Sequence, residues 1–118
     1  MPTKITWLTH SNFLIETGGK KILVDPCLDD LPASPKKSHE VAADIILITH
    51  GHFDHVTDAA KIAKRCNSVC VSSYEICEWL AKQGVQQTEP MNIGGTVPLS
   101  VGKVKATIAF HSSTLPDG

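Results

Sequence analysis

The chain has 118 residues, enough for one core, with 42% hydrophobic and 19% charged residues. With 11 Lys and Arg against 12 Asp and Glu, the formal net charge is -1, so there is no basic footprint for nucleic acid or for an anionic membrane surface. No run reaches the length that spans a bilayer and the start, MPTKITWLTH, lacks a secretory pattern, so a cytoplasmic protein with a single domain over residues 1–118 is expected.

KITWLT (4–9) and NFLIET (12–17) predict strands, and Gly18-Gly19 is a two-residue hairpin signal leading into KKILVDP. The stretch 26–40 holds Pro26, Pro32 and Pro35 and little hydrophobic pattern, which predicts a long surface loop. ADIILIT (43–49) is a continuous apolar run, the pattern of a strand covered on both faces. Ala59, Ile62, Ala63 and Cys66 recur at helical spacing behind Thr57 or Asp58 as N-cap. SVCVS (68–72) predicts a strand, and Ser73 opens a helix carrying Ile76, Trp79 and Leu80 on one face and closed by Gly84. Beyond Val85 the pattern returns to β: a short strand toward Met91, a Gly94-Gly95 turn, then TVPLSV and KVKATIAF around Gly102, the last strand ending at His111. Meander, alternating α and β, and meander again make an α/β layered fold on a mixed sheet.

Cys27, Cys66, Cys70 and Cys77 have no secretory context, which favours free thiols over bridges. The C-x3-C-x6-C spacing of the last three lacks the paired close spacings of a structural zinc site, and core packing is the better reading.

The chemistry concentrates in HGHFDH. His50 and His52, at i and i+2 past a strand end, aim both imidazoles one way if the backbone stays extended through Gly51, and Asp54 and His55 face the same pocket from the start of the next helix. Neutral imidazoles hold a cation without cancelling its charge, a catalytic site keeps one position open for water, and an adjacent carboxylate accepts a proton. His10 and His39, each alone in its segment, read as ordinary solvated histidines.

HGHFDH resembles the H-x-H-x-D-H signature of the metallo-β-lactamase superfamily. ITWLTHSNFLIETGGKKILVDP, ADIILITHGHFDH, MNIGGTV and FHSS are similar to its predicted metal-dependent, lactonase-like hydrolases, over about residues 4–116. The resemblance implies half of a four-layer αββα sandwich. It makes His50, His52 and His111 ligands of a first metal, Asp54 and His55 ligands of a second with Asp54 the proton acceptor, and Asp25 a carboxylate that orients a ligand imidazole. It implies zinc, one or two divalent ions, with manganese, iron or nickel as alternatives, and hydrolysis of a small-molecule ester, lactone or phosphodiester. In the superfamily a second αβ half adds a bridging aspartate and another histidine, and neither has a counterpart by Gly118. A homodimer or a missing C-terminal half is therefore expected to cover the sheet face that the second half covers there. The alternative is a catalytically silent metal-binding half-domain or gene fragment.

Overall fold

Lys4–Thr9 (β1), Asn12–Thr17 (β2) and Lys20–Val24 (β3) pair as an antiparallel meander in the computed structural model, which describes residues 2–118. Gly18 and Gly19 both take positive φ (57° and 75°) in the β2–β3 turn, the conformation a two-residue hairpin requires. Ile45–Leu47 (β4), Val69–Ser72 (β5) and Gln87–Pro90 (β6) then add in parallel, giving a six-stranded mixed sheet in the order β1-β2-β3-β4-β5-β6. Parallel neighbours need crossovers. Here β4 reaches β5 through Phe53–Val56 (α1) and Ala59–Cys66 (α2), and β5 reaches β6 through Tyr74–Lys82 (α3). Thr96–Leu99 (β7) and Gly102–Lys105 (β8) form a separate hairpin.

Side-chain alternation sorts the sheet into two faces. Leu14, Leu23, Ile46 and Cys70 lie in one cross-strand row and pack with Ile62, Ala63, Ile76 and Leu80 of the helices into the main core. Each fully buried Leu or Ile contributes about 1.5–3 kcal/mol, so this helix-covered face supplies most of the stability. On the opposite face Ile22, Ile45 and Val71 pack with Leu99 and Val101 from the β7–β8 hairpin. That hairpin stops short of β1 and β2, where Ile5 and Trp7 are 66% and 64% exposed and Phe13 37%.

The four cysteines are unpaired, with Cys27, Cys70 and Cys77 buried and Cys66 half-buried. Burial pushes the Cys70 thiol up to about 12, and burial with the nearby Asp58 carboxylate raises Cys27 to about 11. Ser73 caps α3, its Oγ accepting from Ile76 N–H, and Gly84 (φ 99°) closes it, as expected.

Three expectations change. The last strand ends at Lys105, not His111: Ala106 still exchanges hydrogen bonds with Gly94 and Gly95, but that turn carries the partner strand away, and residues 106–115 run on without regular structure. The segment 26–40 is not wholly a surface loop, because Pro26, Cys27 and Leu28 are buried and Ser38–Glu40 forms a 3-10 turn. Asp58 occupies the N-cap position of α2 but does not cap with its side chain. Its Oδ2 instead accepts from the backbone N–H of Leu28 (2.6 Å) and Asp29 (3.0 Å). Among the described residues, no helix is long and apolar enough to cross a membrane.

Candidate metal centre

The parallel strands β3 and β4 end side by side, and the chain segments leaving their carboxyl ends carry Asp25 and the run from Thr49 to His55. Asp25, 3% exposed, takes a left-handed backbone (φ 48°) tolerated by a short polar side chain. Its Oδ1 accepts from Thr49 N–H (2.7 Å), and its Oδ2 accepts from Thr49 Oγ1 (2.6 Å) and from His55 Nδ1 (2.8 Å). Because the Thr49 hydroxyl donates to Asp25, it accepts from His50 Nδ1 at 2.9 Å. One carboxylate thus fixes two imidazoles, each protonated on Nδ1 with its Nε2 lone pair free.

His50 Nε2 is buried and has no hydrogen-bond partner. A buried polar atom left unpaired costs about 1–3 kcal/mol, so an electron-pair acceptor at this point offsets a penalty already built into the fold. The donor set fits a cation. His50, His52 and His111 each offer a ring nitrogen within 4.8 Å of the others, with ring centroids 4.7–5.3 Å apart. Burial and the neighbouring histidines lower the His50 pKa, which keeps its imidazole neutral.

His111 comes from the irregular segment after β8, and a glycine lets it approach. A Cβ at Gly51 meets Thr114 O at 2.6 Å and Leu115 Cδ2 at 3.3 Å, while Gly51 N–H donates to Ser113 Oγ at 3.1 Å. Leu115 packs on the main core and Trp79 Nε1 donates to Asp117 Oδ2 (3.1 Å), which ties down the far end of the segment. Gly51→Ala is expected to push this segment off and weaken zinc binding by about tenfold or more, the scale on which supporting groups act. Competition titration with a chelator checks it, and unchanged affinity contradicts the role given to Gly51.

Asp54 and His55 open α1, with His55 Nε2 3.6 Å from Asp54 Oδ2. Burial alone raises the Asp54 carboxyl, but the His10 hydrogen bond, its own backbone N–H and the adjacent imidazoles outweigh that and lower its pKa. The sequence reading missed His10. The β1–β2 turn holds it at φ 51°, and its Nε2 lies 2.9 Å from Asp54 Oδ2 and its ring centroid 5.3 Å from that of His55. No sequence spacing links residues 44 positions apart; the only local signal was a histidine in a tight turn between two strands. His39 is exposed, as expected. Beside the cluster lies an open cleft of about 520 Å³ lined by His52, Phe53, Asp54, Thr114, Leu115 and Pro116.

A mixed sheet with helices on one face and an HGHFDH turn at its carboxyl edge is the metallo-β-lactamase type of α/β fold. The chain belongs to that superfamily: the family described as "Beta-lactamase superfamily domain" matches residues 4–113. It is 46% identical over 114 residues to a UPF0173 metal-dependent hydrolase of Bacillus cereus, covering 97% of this chain and 50% of the relative. It is 42% identical over 115 residues to one of Rubrobacter xylanophilus, covering 96% and 48%. A solved metallo hydrolase of the hyperthermophilic archaeon Ignicoccus hospitalis superposes with a TM-score of 0.83 at 34% identity, over 94% of this chain and 50% of that one. The chain therefore spans about half the length of the curated relatives it matches.

Proposed function

We propose that this chain carries the first half of a metal-dependent hydrolase centre, with His50, His52 and His111 holding a divalent cation, zinc in the first instance. The unpartnered Nε2 of His50, aimed among two other imidazoles, carries the reading. A cation held there supplies Lewis acidity and lowers the pKa of a coordinated water. Asp54, ionised at neutral pH beside that position, is the proton acceptor, and Asp25 orients His55 directly and His50 through Thr49. The cleft walled by Phe53, Leu115 and Pro116 has the volume of a small-molecule site, in keeping with an ester, lactone or phosphodiester. Four unpaired thiols support a reducing, cytoplasmic setting.

Activity is tested on a panel of lactones and phosphodiesters. Hydrolysis that falls to background in both His50→Ala and Asp54→Ala is expected. Bound metal with no turnover across the panel would instead support a silent metal-binding half-domain.

The apolar row Trp7, Phe13, Val24, Leu47 and Val71 crosses five strands on the face opposite the helices, and its β1–β2 end is open to solvent. We assign this face to the second half of a longer protein, residues 1–118 then being one partial domain, or, for this chain alone, to a second copy packed face to face. Light scattering at micromolar concentration is expected to give a dimer, and Trp7→Lys a monomer. A monodisperse wild-type monomer contradicts the second-copy arrangement.

A further inference from the structure

We propose that His10 is a positioning residue for Asp54, aimed at it by the β1–β2 turn and held there by the exposed indole of Trp7. The role rests on the reading of Asp54 as the proton acceptor. Local features converge on this one side chain. The β1–β2 register shifts between Trp7 and Thr9, so that β1 carries an extra residue there, and such bulges re-aim side chains beside active sites. His10 itself takes a left-handed backbone (φ 51°), uncommon for a residue with a Cβ and kept only where the surroundings enforce it. Trp7 enforces it from one side, its Nε1–H donating to His10 O at 2.9 Å. From the other side Asn12, 1% exposed, donates from Nδ2 to Val24 O at 2.6 Å, which fixes the turn against the carboxyl end of β3, one residue before Asp25.

This bracing delivers one contact. An ionised carboxylate only accepts, so His10 donates from Nε2 to Asp54 Oδ2 at 2.9 Å. Asp54 stands in the first turn of α1 with its side chain one-third exposed. His55 Nε2, 3.6 Å from the same oxygen, presents a lone pair rather than a proton, because Asp25 engages its Nδ1–H. His10 is therefore what keeps the Asp54 carboxylate from turning toward water, and a displacement of about 1 Å at a reacting group costs on the order of 100-fold in rate.

Nuclear magnetic resonance reads Asp54 directly. Metal-free chain carrying carbon-13-labelled aspartate at neutral pH gives a carboxylate resonance for Asp54, assigned through its loss in Asp54→Asn. Asparagine at position 10 tolerates the left-handed turn, but its amide ends where the histidine Nδ1 stands, short of Asp54, whereas His10→Gln carries an amide to the place of Nε2. His10→Asn is expected to move the Asp54 resonance to that of a solvated aspartate with Tm unchanged, and His10→Gln to restore it. Trp7→Phe, which keeps the apolar area of the ring and removes only the N–H, is expected to move it partway. With zinc and a substrate from the panel, His10→Asn is expected to lower kcat about 10–100-fold with KM and zinc affinity unchanged. An Asp54 resonance unmoved in folded His10→Asn or Trp7→Phe, or not restored by His10→Gln, overturns the assignment, as does an unchanged kcat. Absence of turnover in wild type would defeat the hydrolase reading instead, and the resonance alone then decides for or against His10.

Discussion

Asp25→Asn is expected to lower zinc affinity by about 100-fold while leaving the chain folded, and Asp25→Ala to do the same at a further cost in stability. Asp25 is buried and accepts three hydrogen bonds, from Thr49 N–H, Thr49 Oγ1 and His55 Nδ1. Alanine strands all three donors, at about 1–3 kcal/mol for each that water cannot reach. Asparagine keeps the volume and one acceptor oxygen, which can still take the Thr49 amide, but turns a donor NH2 toward the Thr49 hydroxyl and His55 Nδ1. The hydroxyl must then rotate away from its role beneath His50, and His55 is driven to the tautomer with its proton on Nε2, where it cannot bind a cation. Supporting groups of this kind are worth 10–100-fold each in metal affinity, and Asp25 supports two imidazoles. Chelator competition alongside thermal unfolding separates the effects: Asp25→Asn with wild-type affinity shows that the carboxylate does not set the imidazoles.

Asp58→Ala is expected to cost about 3 kcal/mol of stability, from two buried N–H groups losing their acceptor, and to lower Tm by roughly 10 °C for a chain of this size. Asp58 is fully buried and its Oδ2 holds the amides of Leu28 and Asp29, pinning the 26–40 connection to the start of α2. Lys61 Nζ lies 3.1 Å from Asp58 Oδ1 and 2.9 Å from Asp29 Oδ2, and Asp29 is held below the usual carboxylate range: burial opposes this, but bonds from Ser38 and Lys61 outweigh it. Lys61 is half-exposed, so its own removal is expected to cost no more than about 1 kcal/mol. Urea unfolding of Asp58→Ala and Lys61→Ala makes the comparison, and equal losses would assign the effect to the ion pair rather than to the backbone amides. Tryptic cleavage at Lys36 and Lys37 is expected to accelerate in Asp58→Ala alone.

The sequence disclosed these elements unequally, for physical reasons. The strands and helices of the main core were legible because each carries its own period: Ile62 and Ala63 on α2, Ile76 and Leu80 on α3, and the apolar run ending in β4. The alternation in KVKATIAF is as regular, yet only Gly102–Lys105 is a strand, because a period of two needs an opposing strand and none faces Ile108 or Phe110, 67% and 97% exposed. Leu28 sits among prolines and acidic residues that read as solvent-facing, yet its side chain joins the main core and its amide is held by a carboxylate 30 residues away. At the site, HGHFDH announced its own chemistry, whereas His111 was placed by family resemblance and His10 by neither. The turn that brings His10 to Asp54 is a tertiary fact, set by how β1 and β2 pack beside the carboxyl ends of β3 and β4.

These residues alone are expected to build a cation site on three imidazoles, of which His50 is set by Asp25 through Thr49. Anomalous diffraction at the zinc edge from crystals grown with zinc decides it. A peak is expected about 2.0–2.1 Å from ring nitrogens of His50, His52 and His111, with His50 binding through Nε2. Zinc found elsewhere on the chain, with His50 Nε2 bonded to nothing, would contradict it.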